Sequence, residues 1–289
     1  MRPILVIGGM NMDILGVPSA GFSLRDSNRG QVHFIPGGVG RNIAQHLASL
    51  GAQVELMTVL GNDAYADILS DSCSKYRIGL RYALRVPERS CVYLAIHDGR
   101  GDMIAALNDM GAMRYLSADS LKKALPADAF SACVLDANLD TQAMQAAVEH
   151  IRAPMIADPV SCDKAERLRP VLPRLTALKP NLREAIQLTG RQSPEEAAQA
   201  LLDTGLSQVY ISLGIKGLYY ASPKDRGYLS ALSISSAPAT GAGDAMVAGL
   251  SFAVAQGKSA RECALLGRDC AAAHMEAMTK KASSSKEDT

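Results

Sequence analysis

Short apolar runs typical of strands alternate with helical patterns along most of this 289-residue chain. Strand-like runs lie at residues 4–7, 54–59, 132–135, 155–157, 177–178 and 209–212. Helical patterns lie at residues 38–50, 117–125, 140–151, 181–189 and 194–204. Strands that alternate with helices pair in parallel, and both faces of a parallel sheet have to be covered. The sequence therefore predicts an α/β fold with helices on both sides of a mostly parallel central sheet.

Two segments depart from this alternation. Residues 31–35, and the pair 91–96 and 103–107, are typical of short antiparallel strands, and the loop between the pair contains an Asp-Gly turn. We predict one domain over residues 1–278 that carries a small β flap, or lid, formed by about residues 12–36 and 89–108. The Lys-, Ser- and acid-rich residues 279–289 are expected to form a disordered tail.

The charge balance limits the kinds of partner. Thirty Lys and Arg stand against 29 Asp and Glu, so there is no positive excess to hold a nucleic acid or an anionic membrane. The apolar runs are far shorter than the roughly 20 residues that cross a bilayer, and the first strand starts where a secretion signal would lie. We expect a cytoplasmic protein that binds a small molecule, with neither nucleic acid nor membrane as partner.

The segment Thr240-Gly241-Ala242-Gly243-Asp244 precedes an apolar run that is typical of a buried helix. The backbone N–H groups of Gly241, Ala242 and Gly243 would point outward from the positive end of that helix, where they form an anion site suited to a phosphoryl group. A carboxylate at Asp244 could accept a proton from an attacking hydroxyl. The alternative is an acidic cap on a core helix.

A second glycine cluster, Pro36-Gly37-Gly38-Val39-Gly40, also stands at a predicted helix start and is followed by Arg41-Asn42. Glycines allow a ligand to approach the backbone closely, and the amide of Asn42 offers both a donor and an acceptor. A tight turn that serves packing alone is the alternative.

With these residues the chain resembles the ribokinase (PfkB) family of carbohydrate kinases. Five motifs follow the order and approximate spacing of that family: Asn11-Met12-Asp13, residues 37–44 with Gly51 and Gly61, Lys179-Pro180-Asn181 with Glu184, residues 212–217, and Gly241-Ala242-Gly243-Asp244. The resemblance covers about residues 4–278. It implies a ribokinase-like three-layer α/β/α fold with a β lid, and the use of ATP and Mg²⁺.

The resemblance also implies roles for individual residues. Asp244 matches the catalytic base, and the anion hole is formed by Gly241, Ala242 and Gly243. Asp13 matches the acceptor for sugar hydroxyls, and the other substrate-binding residues are Asn11, Gly37, Gly38 and Asn42. The implied nucleotide-binding residues are Lys179, Asn181, Ser212, Gly214 and Gly217. Glu184 and Asn181 match the motif that holds Mg²⁺, through water. A helix cap at Asn181 and a strand-end turn at residues 214–217 remain alternatives.

Further details resemble the pseudouridine kinase branch of the family: residues 37–42, the flap-end Asn108-Asp109, and residues 157–161 followed by Lys164. The side chains of Asn108 and Asp109 could bind the N–H and C=O edge of a uracil-type base, and an Asx turn is the alternative. The resemblance implies phosphorylation of the 5′-hydroxyl of a ribonucleoside, with pseudouridine as first choice, by a homodimer that pairs through its lid. The alternatives are a ribose, fructose or other nucleoside kinase, and a non-catalytic nucleoside-binding regulator.

One departure concerns cations. Pro238-Ala239 stands where many family members have Asp-Thr, which argues against a monovalent-cation site. Asp63 fits a turn of the family, but Ala66 stands where a glycine is frequent, so Asp63 is predicted to be a helix cap.

Overall fold

The structure is a computed structural model that describes residues 2–98, 102–232 and 240–287. The glycine of the expected Asp-Gly turn, Gly99, and the pair Pro238-Ala239 lie outside the described residues. The strands are β1 (Ile4–Ile7), β2 (Asn11–Pro18), β3 (Gly30–Gly37), β4 (Val54–Met57), β5 (Val59–Leu60), β6 (Leu84–Arg85), β7 (Val92–His97), β8 (Met103–Asp109), β9 (Ala132–Asp136), β10 (Met155–Asp158), β11 (Ala177–Leu178), β12 (Gln208–Ser212), β13 (Leu218–Ala221) and β14 (Arg226–Leu229).

The helices surround these strands. The α-helices are α1 (Val39–Ser49), α2 (Ala64–Lys75), α3 (Ala118–Ala124), α4 (Thr141–His150), α5 (Cys162–Ala165), α6 (Leu182–Thr189), α7 (Pro194–Leu202), α8 (Ala242–Ala255) and α9 (Ala260–Glu287). Short 3₁₀ helices cover Gly111–Tyr115, Glu166–Arg174 and Gly214–Lys216. Among the described residues no helix is both long and apolar enough to cross a bilayer.

The central sheet has eight strands in the order β14-β13-β12-β11-β10-β9-β1-β4. Its neighbours from β12 to β4 pair in parallel, and β13 and β14 extend one edge in the antiparallel sense. Alternate residues of β1 enter different cores: Leu5 and Ile7 pack on one face and Ile4 and Val6 on the other. Both faces are therefore buried under helices, and the predicted three-layer α/β/α architecture is confirmed.

The lid is a separate four-stranded sheet in the order β3-β2-β7-β8. Its central pair, β2 and β7, is parallel, and the two outer pairings are antiparallel. Three residues separate the end of β1 from the start of β2, and only Gly38 separates the end of β3 from α1, so both strands join the lid directly to the body.

The C-terminal segment differs from its expected disorder. Helix α9 continues without a break from Ala260 to Glu287, so the predicted tail is helical from residue 279 to residue 287. Residues 279–287 contain neither Gly nor Pro. Extending an existing helix costs far less than starting a new one, so a polar segment that lacks Gly and Pro can continue α9.

Asp63 connects the body to the returning lid strand. Its carboxylate caps α2 by accepting a hydrogen bond from the Ala66 N–H at 3.0 Å, and it also accepts from the backbone N–H and the hydroxyl of Ser90, both at 2.8 Å. Ser90 lies two residues before β7. Partial burial alone would raise the pKa of Asp63, but the bonds from Ser90 and the α2 backbone lower it. The predicted cap is thus also a lid anchor.

We expect Asp63→Ala to lower the free energy of unfolding by about 1–2 kcal/mol, because a helix cap is lost. Asp140→Ala is the matched control, since Asp140 caps α4 through the Ala143 N–H and is the cap of a helix in the body. Urea unfolding should show a loss for both variants. Hydrogen exchange of the β7 amides should accelerate only in Asp63→Ala; equal β7 exchange in the two variants would show that Asp63 does not anchor the lid.

Candidate active site

Buried polar side chains collect where the central parallel strands end. Asp136 is the last residue of β9, Asp158 is the last of β10, and Lys179 follows β11. All three are buried. The carboxyl ends of parallel strands meet at one edge of a sheet, and the crevice outside that edge is where α/β proteins place their sites. Burying charged groups is costly unless they interact, so this edge is a candidate site.

Lys179 and Asp158 form an ion pair inside this edge. The Lys179 Nζ lies 3.0 Å from the Asp158 Oδ2, and the side chains are only 7% and 6% exposed. Burial alone would lower the pKa of Lys179, but the carboxylates of Asp158, Glu184 and Asp244 raise it, so the ammonium stays charged. A side chain at Gly243 would approach this ammonium, because the position of a Cβ there is 3.2 Å from Nζ. The cation thus lies against the predicted anion loop.

The two glycine motifs meet at Asp244. This residue lies in the first turn of α8, and its Oδ2 accepts a hydrogen bond of 2.9 Å from the Asn42 amide, which lies in the first turn of α1. The two residues are 202 positions apart in the chain. Burial raises the pKa of Asp244 to about 7, with Asp158 adding to the effect while Asn42 and Lys179 oppose it. Such a carboxyl exchanges its proton near neutral pH, as a general base must.

The loop before Asp244 has the geometry of an anion site. Gly241 occupies the N-cap position of α8 with φ 83°, in the left-handed region, and it makes no side-chain capping bond. The first N–H groups of a helix lack acceptors within the helix, and the helix dipole favours an anion there. The predicted anion hole at Gly241, Ala242 and Gly243 is therefore compatible with the structure. Within the described residues, Asp244 bonds to Asn42 rather than capping the backbone of α8.

The predicted sugar-binding residues lie at the base of the lid. The Asn11 amide donates a hydrogen bond of 2.5 Å to the Asp13 Oδ1, and both residues are on β2. Gly37 faces the Asp13 carboxylate, which leaves no room for a side chain. Gly38 has φ 99° and lies against the backbone of Gly9. Burial raises the pKa of Asp13, although its bond from Asn11 opposes the rise.

The lid register separates Asn108 from Asp109. Asp13 on β2 is the partner of Tyr93 on β7, and Tyr93 is the partner of Asn108 on β8, so these three side chains share one face. Asp109 is the partner of Val92 and lies on the opposite face. Its Oδ1 accepts a long hydrogen bond of 3.4 Å from the Gly111 N–H, which is the Asx turn. The expectation that both side chains bind one base edge is therefore wrong, because neighbouring strand residues point to opposite faces.

Two of the five predicted nucleotide-binding residues line an open cavity of about 730 Å³. Asn181 and Ser212 line it, whereas Lys179, Gly214 and Gly217 lie outside its lining. Asn181 also caps α6: its side chain accepts from the Glu184 N–H at 2.9 Å, and the Glu184 carboxylate accepts from the Asn181 N–H at 2.8 Å. The cap alternative for Asn181 is therefore correct, and it leaves the residue on the cavity wall.

The turn at residues 214–217 is also present. Gly214 has φ 60° and Gly217 has φ 98°, and a Cβ at Gly217 would collide with the backbone of Leu229. Two basic side chains that line the cavity, Arg183 and Lys216, were not predicted as site residues. Lys216 stands inside the Ser212–Gly217 motif, which is the signal that could have indicated it.

Glu184 and Asn181 fit a water-mediated Mg²⁺ site. Glu184 is a buried carboxyl at the start of α6, and burial raises its pKa despite the Asn181 N–H and Lys179 nearby. Among the described residues, no group of three or more His, Cys, Asp or Glu is arranged to hold a metal ion. Mg²⁺ usually keeps several waters and takes one or two carboxylates together with substrate phosphates, so a single carboxylate next to the cavity-lining Asn181 is compatible with such a site.

Asn138 is a candidate site residue that the sequence analysis did not single out. Lys164 donates a 2.6 Å hydrogen bond from Nζ to the Asn138 Oδ1. Because an ammonium only donates, the amide must turn its Nδ2 the other way, and this nitrogen is 3.0 Å from the position of a Cβ at Gly9. Met110, at the lid end, is equally close to that position. A polar residue shortly after the buried strand β9 was the available signal.

The family comparison agrees with this geometry. The model of the pfkB family of carbohydrate kinases matches residues 1–287. This chain belongs to the pfkB family. It is 32% identical over 276 residues to the pseudouridine kinase of Escherichia coli K12, a match that covers 92% of this chain and 88% of that protein. It is 24% identical to the guanosine-inosine kinase of Exiguobacterium acetylicum, with 94% of each chain covered.

Solved structures share the fold of this pfkB protein. Thermotoga maritima ribokinase superposes with a TM-score of 0.86 at 22% identity, over 96% of this chain and 93% of the other. Ribokinase II from E. coli, solved with ATP and Mg²⁺, superposes with a TM-score of 0.82 at 18% identity, over 94% and 92%. At these identities the likeness establishes the ribokinase-like fold. Kinases of this family are phosphotransferases that use an alcohol group as acceptor.

The raised pKa of Asp244 predicts a pH-dependent stability. Between the unfolded pKa of 3.8 and the folded value of about 7, the folded chain binds this proton more strongly than the unfolded chain does. The contribution of Asp244 to the free energy of unfolding should therefore fall as the pH rises through that window, and then level off. Asp244→Asn has no carboxyl to titrate, so its free energy of unfolding should rise relative to that of the wild type as the pH increases through this window.

Urea unfolding without nucleotide, at about pH 5 and about pH 8, measures this difference. Asp109→Asn, on the exposed lid strand, is the control, and its difference from the wild type should stay constant. A stability difference between Asp244→Asn and the wild type that does not change with pH would contradict the raised pKa.

Proposed function

We propose that this protein is an ATP-dependent kinase that phosphorylates the 5′-hydroxyl of a ribonucleoside, with pseudouridine as its preferred substrate. The observation that carries the proposal is Asp244: a carboxyl with a pKa of about 7, aligned by the Asn42 amide at the start of α8 and adjacent to an anion loop. Neither a silent binding protein nor a structural cap needs that combination of a base and an anion site.

The transfer step follows from these positions. The Asp244 carboxylate takes the proton of the 5′-hydroxyl, and the 5′-oxygen of the nucleoside forms a bond to the γ-phosphorus of ATP. The bond from that phosphorus to the bridging oxygen breaks, and ADP leaves with the electron pair. The backbone N–H groups of residues 241–243 and the ammonium of Lys179 stabilise the charge on the moving phosphoryl group. Lys179 remains charged for this purpose because Asp158 is paired with it.

The ribose would lie between the lid and the carboxyl ends of the central strands. The Asp13 carboxylate, oriented by Asn11, suits the vicinal hydroxyls of a ribose, since each carboxylate oxygen accepts hydrogen bonds. Gly37 and Gly38 let the sugar approach the backbone. Closure of the lid over the sugar would exclude water and thereby limit ATP hydrolysis.

Polar groups beyond the ribose favour a nucleoside over a free sugar. Asn108 shares the lid face of Asp13, and the Asn138 amide, held by Lys164, lies by the lid end. Amide groups bind the alternating N–H and C=O groups of a pyrimidine edge. The similarity to the E. coli pseudouridine kinase supports a uracil-type base, and the similarity to a guanosine-inosine kinase supports the nucleoside class.

ATP would occupy the cavity that Asn181, Ser212 and Lys216 line, with Glu184 and Asn181 holding Mg²⁺ through water. When bound, the metal neutralises part of the phosphate charge. Because its proposed substrates are ATP and a small nucleoside, we also propose that the protein is cytoplasmic.

Asn108→Ala should raise the KM for pseudouridine about tenfold, the cost of roughly one hydrogen bond to a base, and should leave kcat for ribose unchanged. Asp109→Ala, its neighbour on the opposite lid face, is the matched control and should behave as the wild type. ADP release is measured with Mg-ATP against pseudouridine, uridine, adenosine, ribose and fructose.

The same assay tests the proposal as a whole. Asp244→Asn should abolish turnover while the protein stays folded. Preference for ribose or fructose would retain the kinase and refute the nucleoside assignment. Normal turnover by Asp244→Asn would refute the catalytic role of Asp244, and a wild type inactive with every acceptor would favour a binding protein.

We further propose that the lid pairs with the lid of a second copy. Its outer face, opposite Asp13, exposes Val32, Phe34 and Leu107, with 58%, 55% and 69% of their surface accessible. The same face contains an apolar hollow of about 380 Å³ that is lined by Ile14 and Leu94 among others. An exposed apolar sheet face is typical of an interface, and a symmetric dimer covers such a face on both copies at once.

Val32→Glu should convert the dimer to monomers, because it places a charge on the apolar face beside the hollow that Val32 also lines. His33→Glu, on the opposite face of the same strand, is the control and should leave the mass unchanged. Sedimentation velocity over a range of protein concentrations measures the mass. A wild type that is monomeric throughout would refute the pairing.

A further inference from the structure

A histidine of the last helix contacts the backbone at the entrance to the anion loop. The His274 Nε2 lies 2.9 Å from the carbonyl oxygen of Thr240, the residue directly before Gly241. A carbonyl oxygen only accepts hydrogen bonds, so Nε2 must carry the hydrogen and donate it. The contact joins α9 to the start of α8 over 34 residues of chain.

The same ring fixes the conformation of the loop. The position of a Cβ at Gly241 would be 2.8 Å from the His274 Nε2, so the imidazole lies directly against the turn. Gly241 also has φ 83°, in the left-handed region that favours glycine. The backbone at this point is therefore held by its own conformation and by a side chain from another helix.

His274 is supported from the other side by α1. The rings of His46 and His274 are perpendicular, with centroids 5.0 Å apart. Burial, helped by the neighbouring His274 and Arg41, lowers the pKa of His46 to about 4, so its ring is neutral at physiological pH. His46 lies one turn after Asn42, which bonds to Asp244. Helix α1 thus supports both the loop, through His274, and the base, through Asn42.

We propose that His274 is a positioning residue for phosphoryl transfer: by donating to the Thr240 carbonyl, it holds the N–H groups of residues 241–243 at a fixed distance from Asp244. This inference rests on the proposed function. The contact comes from another helix, so the conformation of the loop does not depend on α8 alone.

His274→Ala should lower kcat about tenfold and leave the KM for the nucleoside unchanged, because the anion loop acts on the phosphoryl group in the transition state. His274→Gln places an amide N–H at a similar reach and should restore most of kcat. His150→Ala is the matched control, because the His150 Nε2 also lies against a backbone carbonyl, that of Leu125 at 2.7 Å, but at the end of α4; kcat of this variant should stay near that of the wild type. A merely structural role would make His274→Ala and His274→Gln equally slow.

A measurement that is independent of turnover completes the test. Hydrogen exchange at the amides of residues 241–243 should accelerate in His274→Ala but not in His274→Gln. The proposal is overturned if His274→Gln fails to restore slow exchange and kcat. A wild type that transfers no phosphate refutes the proposed function instead, and the exchange experiment still decides whether His274 holds the loop.

Discussion

The site depends on an unequal balance of buried charges at the carboxyl ends of the central strands. One ammonium, that of Lys179, lies among the carboxyls of Asp158, Glu184 and Asp244. The ion pair with Asp158 keeps Lys179 charged, and burial, with a smaller contribution from the neighbouring carboxylates, raises the pKa of Asp244 to about 7. A buried pair of this kind contributes little to stability by itself. Here it places a permanent cation beside the loop of residues 241–243 and a carboxyl that titrates near neutral pH.

Two helices that begin at the same crevice, α1 and α8, fix the positions of the groups around these charges. Asn42 at the start of α1 donates to Asp244 at the start of α8, and the same two regions meet again one turn later through His46 and His274. The glycines of both motifs serve close approach: Gly38 lies against the backbone of Gly9, and Gly241 lies against an imidazole. The anion loop and the base are consequently held by the same helix pair.

Much of the fold and of the candidate site was predictable because it follows from local patterns in the sequence. The strands of the central sheet from β1 to β12 are short apolar runs, and the motifs at residues 37–42 and 240–244 predicted two functional helix starts that the structure indeed brings together. Other features were not predictable from local pattern. Adjacency in the chain predicted a shared role for Asn108 and Asp109, although the strand turns them to opposite faces. The C-terminal segment was expected to be disordered from its polar composition, yet it extends a helix that begins in the core. Asn138 was missed because it belongs to none of the five motifs, and a single polar residue shortly after a strand is a weak signal.

The sequence by itself determined the family, the α/β architecture and the residue types of the site, because apolar periodicity and glycine-rich helix starts are local properties of the chain. Only the tertiary structure decided the pKa of Asp244, the partner of Lys179, which lid residue shares the face of Asp13, and the contact of His274 with Thr240. Each of these depends on distances between residues far apart in the chain. Burial and electrostatic coupling act through space, so no spacing along the sequence reports them.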